Sequence, residues 1–271
     1  MSVFFRKLSK LIRGLGLVIQ KPSLLNVLID EQDRHAAAVK KLTHSSTGLP
    51  EVDFFSLTDD VMKVEPFAFL AGGSLPTDIA LLKVLATKIQ AQSYFEIGTW
   101  RGESVANLAE IVPNCYTLHL GEKEMLRREW NKDYIDLHEY FSNKNEKITH
   151  LHGDSRTFDF GPFYGKMDLV FVDGDHHFDT IVQDTRNAFK LLRNENAMIV
   201  WHDYGNQPED IRWNIAHAIL EGTPADKRSS LFAISHTLCA AFLPFKVESV
   251  NRKYSRVPDP FFSIELKKKS I

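Results

Sequence analysis

Cysteine is nearly absent from this chain. Only Cys115 and Cys239 occur among its 271 residues. Both sit in apolar, strand-like runs far apart in sequence. That excludes a disulfide-framed scaffold and fits buried thiols in a reducing compartment. Long apolar runs are missing as well: none approaches the ~20 residues needed to span a bilayer. Charge of one sign is not in excess, since the net charge is −2 at pH 7; no global field favours nucleic acid as a partner. Internal repeats and low-complexity tracts are lacking, and so is the dinucleotide fingerprint G-x-G-x-x-G. What remains, 44% hydrophobic and 25% charged residues, is the composition of an ordinary globular protein. The expected location is cytoplasmic.

The N-terminus departs from this balance. MSVFFRKLSKLIRGLGLVIQK carries Arg6, Lys7, Lys10, Arg13 and Lys21 and no acid, with Phe4, Leu8, Leu11, Ile12, Leu15, Val18 and Ile19 at helical spacing. The charges interrupt the apolar stretch that a secretory signal requires. A helix packed on the domain or on a second subunit, in a homodimer, is the plain expectation. A basic helix lying on an anionic membrane surface, or a transit peptide, has the same pattern. Residues 22–73 alternate short apolar and polar pieces around the loop-like SSTGLPEVD. Residues 1–73 are therefore expected to be a helical and irregular extension, and 74–271 the main domain.

The main domain starts with a helical period through Ile79, Leu82, Leu85 and Ile89. From Tyr94 onward apolar runs alternate with amphipathic segments. Strands are expected at 94–98, 115–120, 148–153, 167–174 and 197–204, with helices at 103–112, 122–142, 178–193 and 208–221. Two further strands, 237–245 and 261–267, close the chain without a helix between them. Strands that are apolar throughout belong to a parallel sheet covered on both faces. The expected fold is α/β: a Rossmann-like, doubly wound, seven-stranded, mostly parallel sheet with a C-terminal β-hairpin and an N-terminal helical extension.

In such sheets ligands lie beyond the carboxyl ends of the strands, near the first turn. Here that turn reads YFEIGTWRGES. Gly98 permits a sharp bend, and Gly102 lets a ligand approach the next helix. Ser104 and free N–H groups beside it suit a carboxylate, and Glu96 suits an ammonium group. A ligand bearing both groups meets these demands together. The pattern ExGxxxGxS resembles motif I of class I S-adenosylmethionine-dependent methyltransferases, particularly small-molecule O-methyltransferases related to catechol O-methyltransferase. The resemblance continues through YTLHL, HGDSRTF, MDLVFVDGDHHF and IVWHDYG, over about residues 75–245. It is greatest to the bacterial group with a "FVDGDH" strand end.

That resemblance implies S-adenosylmethionine as cofactor and transfer of its methyl group to the hydroxyl of a small-molecule acceptor. It places Glu96, Gly98, Thr99, Gly102 and Ser104 around the methionine portion, and Asp154 and Ser155 by the adenine. The family usually has a carboxylate for the ribose hydroxyls at the end of the second strand. This chain has His119 there, with Glu122 three residues on, so either His119 itself or Glu122 would take the ribose.

FVDGDHHFD and WHDYG bring Asp173, Asp175, His176, His177, His202 and Asp203 to neighbouring strand ends. In metal-dependent relatives an Asp after each of these strands binds Mg²⁺, and Asp173 and Asp203 match those places. A divalent cation, Mg²⁺ or Mn²⁺, would lower the pKa of the acceptor hydroxyl. His202, as a third ligand, would favour Mn²⁺, Fe²⁺ or Zn²⁺. Where the family often has a further oxygen ligand this chain has Tyr204, so Asp175 or His202 would substitute. By position His176 is the expected general base, an imidazole being suited to proton removal near neutrality; His177 has the same chemistry. Trp100 and Trp201 flank the crevice as candidate walls. Two other functions stay open. One is a catalytically weak or inactive methyltransferase-fold protein with an assembly role; the other is a metal-dependent hydroxylase-like relative.

Overall fold

The computed structural model describes residues 3–21, 31–253 and 257–269. Residues 22–30 and 254–256, parts of two segments expected to shape the acceptor pocket, lie outside the described residues. Eight strands form one sheet: β1 (Glu51–Val52), β2 (Ser93–Ile97), β3 (Asn114–His119), β4 (Ile148–His152), β5 (Leu169–Val172), β6 (Met198–Trp201), β7 (Leu231–Ile234) and β8 (Ala240–Phe242). Their order is β1-β7-β8-β6-β5-β2-β3-β4. Every pairing is parallel except those of β8, which runs antiparallel between β6 and β7.

The described α-helices are α1 (Val3–Gln20), α2 (Gln32–Thr43), α3 (Pro76–Lys88), α4 (Glu103–Leu108), α5 (Glu122–Arg127), α6 (Lys132–Ile135), α7 (Phe178–Leu191) and α8 (Trp213–Gly222). Successive side chains of a strand point to opposite faces, so the apolar strands feed two cores. Phe95, Ile97, Val170, Val172, Ile199 and Trp201 pack under α7 and α8 through Ile181, Ala188, Ile215 and Ile219. Tyr94, Leu169, Phe171, Met198 and Val200 pack under α3 and α4 through Leu81, Leu82, Leu85, Val105 and Leu108. Both faces are therefore covered, and the expectation of a doubly wound sheet holds.

Several boundaries differ from expectation. The sheet has an eighth strand because Glu51 and Val52 pair with Ala233 and Ile234 at its edge. The terminal hairpin joins 231–234 to 240–242, while 261–267 form no strand. Phe261, Ile264 and Leu266 there are exposed, and no sheet neighbour pairs with the segment. The expected helix 122–142 breaks into α5, α6 and turns, with Glu129 and Glu139 in left-handed backbone. In α3 the carboxylate of Asp78 accepts a hydrogen bond from the Leu75 N–H at 2.6 Å, and Pro76 occupies the first turn. Along α1 the side chains of Leu8, Leu11, Ile12, Leu15 and Ile19 are exposed, so this chain's own core does not cover them. No described helix is long and apolar enough to cross a membrane.

The strand order reverses at β2: the chain steps outward through β3 and β4, then returns to β5 on the other side. A crevice opens at such a point. The two sides meet at Gly98, which has φ 97° and whose Cβ, were there one, would collide with the backbone carbonyl of Asp173. Gly98→Ala should therefore lower stability by about 2 kcal/mol or more, read as a fall in thermal midpoint. Gly14→Ala, in α1 with open space around it, should not. Equal midpoints for wild type and Gly98→Ala would contradict the account.

Candidate active site

Beyond the carboxyl ends of β2 to β6 lies a cavity of about 680 Å³. Of the residues expected around a methionine group, Gly98 and Thr99 line it, whereas Glu96, Gly102 and Ser104 do not. Glu96 faces the α3–α4 side of the sheet, accepting hydrogen bonds from Tyr94 Oη at 2.6 Å and Ser104 Oγ at 2.7 Å. Burial raises its carboxyl from 4.5 to about 7. It is therefore a poor partner for an ammonium group, and it acts by tying β2 to the start of α4. Gly102 is required for another reason: with φ 80°, its missing Cβ makes room for Ser142.

His119 lines the cavity and is 9% exposed. Its Nε2 lies 3.3 Å from Glu139 Oε1, and its Nδ1 is buried without a hydrogen-bond partner. Burial lowers the ring's pKa to about 4 despite the charge of Glu139, so the imidazole is neutral at pH 7. The carboxylate beside His119 is thus Glu139. Glu122 is exposed and pairs with Lys132 at 2.8 Å. Asp154 and Ser155 also reach the cavity. The Asp154 carboxylate is held by Arg156 and by Arg128, at 2.6 and 2.9 Å, and hydrogen bonds from Arg156 keep its pKa well below the usual range. Ser155 Oγ donates to Asp184 at 3.2 Å.

At the ends of β5 and β6 the expected convergence occurs. Asp173, His202 and Asp203 each present a ligand atom, all within 4.8 Å of one another. His202 Nδ1 lies 3.1 Å from Asp173 Oδ1 and 3.4 Å from Asp203 Oδ1, while its Nε2 lies 3.1 Å from Asp78. Burial opposes charge on this ring, but Asp173, Asp203 and Asp78 outweigh it and hold His202 well above its ordinary pKa. For Asp203, burial would raise the pKa, yet His202 and His176 bring it down to about 2. Asp203 also sits in left-handed backbone, φ 59°, a costly conformation of the kind found at functional sites.

His176 is half exposed, and its Nδ1 lies 3.1 Å from Asp203 Oδ2. His177 is largely exposed and paired with Asp175, so of the two histidines only His176 touches an acid of the cluster, Asp203. Tyr204 is buried and its hydroxyl accepts from the Leu49 N–H at 2.9 Å; it is no ligand. Trp100 lines the cavity, stacked on Tyr134 at 5.0 Å. Trp201 does not: it is packed in the core and donates to Thr185 Oγ1 at 2.9 Å. Sequence reasoning missed Asp78 and Glu139. Asp78 lies in the first turn of α3 and drew no reading of its own, and Glu139 fell inside a supposed helix. Arg212, 3.4 Å from Asp203, was also missed.

Residues 95–204, from β2 to the turn after β6, match the model of a family described as "Methyltransferase domain". The matched segment carries the central strands β2 to β6 and the turns that follow them, in a Rossmann-like strand order. Among solved structures, the chain is similar to an O-methyltransferase from Bacillus cereus in complex with SAH, at 18% identity and TM-score 0.45 over 64% of this chain and 84% of that one. It is also similar to cofactor-bound Rv0187 from MTB, at 20% identity and TM-score 0.41 over 83% and 96%. Against a Bacillus halodurans C-125 protein it has 17% identity and TM-score 0.38 over 49% of this chain, and spans about half of that relative, 53%. A comparison with curated proteins gave no match. Likenesses of this degree say nothing of substrate.

The buried Glu96 carboxyl gives a test of this electrostatic frame. Its folded pKa, about 7, exceeds the ordinary 4.5, so the folded state binds the extra proton between those values. Its contribution is fully present below the lower value and lost as pH rises through the upper one, about 3 kcal/mol in all. Glu96→Gln keeps the shape and removes the titration. Denaturant melts at several pH values should show the variant gaining on wild type between about pH 4.5 and pH 7. Parallel curves would contradict the burial of an ionisable carboxyl there.

Proposed function

We propose that this protein transfers the methyl group of S-adenosylmethionine to the hydroxyl of a small-molecule acceptor, assisted by a divalent cation. One observation carries this reading: His176, oriented by Asp203, stands in the wall of the cavity that begins at the Gly98–Thr99 turn, beside a ready set of metal ligands.

The residues fit the cofactor at three places. The turn after β2 offers backbone groups at Gly98 and Thr99 to the methionine portion. His119, with a buried and unpaired Nδ1, suits a ribose hydroxyl in place of the missing carboxylate. Ser155 and the Gly153 backbone border the adenine end. They also fit a cation. Asp173, His202 and Asp203 supply two carboxylates and one imidazole, and buried Asp78 orients His202 from behind, the usual support for a ligating histidine. Such a mixed set suits Mn²⁺, Fe²⁺ or Zn²⁺ better than Mg²⁺. The ion would supply positive charge that lowers the pKa of the acceptor hydroxyl.

The chain's own residues do the rest. Asp203 accepts the Nδ1–H of His176 and so leaves Nε2 with a lone pair for the acceptor's proton. Arg212 balances Asp203. Trp100 and Tyr134 wall the opening and exclude water around the reacting groups. Methyl transfer needs acceptor oxygen, methyl carbon and sulfur in line, so placement and proton removal supply most of the rate.

One feature favours the alternative of a weak enzyme with a binding role: Asp154 is held by two arginines rather than free for adenine. The exposed apolar side chains of α1, beside Lys7, Lys10 and Arg13, fit the expected contact with a second copy or an anionic lipid surface.

Turnover on a panel of catechols, phenols and sugars with Mn²⁺ tests the proposal. Loss of the base should lower kcat by about 10²–10⁴ in His176→Ala, while binding of S-adenosylhomocysteine is kept. Asp203→Asn should lose the response to divalent ion. Unaltered kcat in His176→Ala would rule out that base, and unaltered ion response in Asp203→Asn would rule out the metal.

A further inference from the structure

A second group of potential ligands lies at the other end of the cavity. His150 and His152 share one face of β4, as alternate residues of a strand must. The β3–β4 register sets His119 directly opposite His152, and the two rings meet edge-on with centroids 4.9 Å apart. Glu139 comes over them from the turns after α6. Its Oε1 lies 2.9 Å from His152 Nε2, 3.3 Å from His119 Nε2 and 3.4 Å from His150 Nδ1.

We propose that His119, Glu139 and His152 bind a zinc-class transition-metal ion, at a site separate from Asp173, His202 and Asp203. The ligand atoms of these three residues already lie within 4.8 Å of one another. A tetrahedral zinc ion with bonds of about 2.0–2.1 Å has ligand-to-ligand edges of about 3.3–3.4 Å. The 3.3 Å from Glu139 to His119 matches that edge, and the 2.9 Å hydrogen bond from Glu139 to His152 would open by about 0.4 Å to admit an ion.

Ordinary hydrogen bonding accounts poorly for the cluster. Three imidazoles crowd one carboxylate oxygen, and His119 Nδ1 and His150 Nδ1 are both buried without hydrogen-bond partners, which is costly. Glu139 is held in place by a left-handed backbone, φ 61°, and its N–H donates to Trp100 O at 2.7 Å. Such backbone in a non-glycine residue is strained, and strain of this kind clusters at functional sites. Two imidazoles and one carboxylate suit Zn²⁺, Co²⁺ or Ni²⁺ rather than Ca²⁺. The His152 side chain is 54% exposed and gives an ion access from solvent.

An ion on His119 Nε2 would leave the ring's only proton on Nδ1. The imidazole in the cavity wall would then be fixed as a hydrogen-bond donor. The ion would also clamp β3 and β4 to the turns after α6. Metal binding at this site does not depend on the methyl-transfer reading, and either can fail alone.

Chelator-treated full-length protein, titrated calorimetrically with Zn²⁺, tests the proposal. The Asp203→Asn protein should retain a zinc site. Adding His152→Ala, at an exposed position, should weaken that site by about 10–100-fold or abolish it, and Glu139→Gln should do the same, with circular dichroism unchanged. In wild type, substoichiometric Co²⁺ should broaden the imidazole resonances of His119 and His152. The proposal is overturned if Asp203→Asn alone removes all zinc binding. It is equally overturned if His152→Ala and Glu139→Gln bind zinc as wild type does, or if Co²⁺ leaves the His119 and His152 resonances sharp.

Discussion

The contact of Gly98 with the backbone of Asp173 holds the functional half of this molecule together. β2 and β5 are sheet neighbours, so the turns that follow them must share one small space. Only a residue without a Cβ, in left-handed backbone, lets the first turn pass over the carbonyl of Asp173. That close approach places Thr99 on one side of the cavity and the Asp173 carboxylate on the other. The turn after β2 and the acid cluster are therefore one structural unit, fixed by main-chain packing rather than by flexible side chains.

Around that unit, polar groups are buried in a graded way. Glu96 is deep and acquires hydroxyl partners instead of an opposite charge, so its carboxyl is pushed toward neutrality. Asp78 is equally deep but meets His202, and the imidazole is held in its charged form when no metal is bound. A ligating role would require that proton to leave, which couples ion binding to pH. The same economy of charge appears at the β3–β4 edge, where a neutral histidine stands at the position usually given to an acid. Two carboxylates of the chain, Glu96 and Glu139, thus support the cavity from behind without lining it.

Much of this was legible in the sequence because strands buried on both faces are apolar throughout. YFEIG, LVFV and MIVW announced the central sheet, and the acids and histidines after them announced a site at its carboxyl edge. The residues after β5 and β6 come together as expected because strand ends in a parallel sheet face the same way. Glu96 was misjudged for a related reason. A strand residue two before a turn can face either side, and the alternation that sends Tyr94 and Glu96 away from the cavity depends on which face α3 and α4 cover. Asp78 and Glu139 were invisible because they act across long sequence separations, from segments whose local patterns spoke only of helix. The false strand at 261–267 shows that an apolar run becomes a strand only where a neighbour pairs with it. Short β7 was overlooked beside the longer apolar run that holds β8.

The central claim is that the Gly98–Thr99 turn and the cavity beyond it receive S-adenosylmethionine. Calorimetric titration of the folded, full-length protein with S-adenosylhomocysteine measures this without knowledge of the acceptor. The account predicts saturable binding at one site per chain, with an affinity on the order of micromolar. Absence of heat at several temperatures, together with an unchanged thermal midpoint at saturating ligand, would contradict it and leave the architecture without its proposed chemistry.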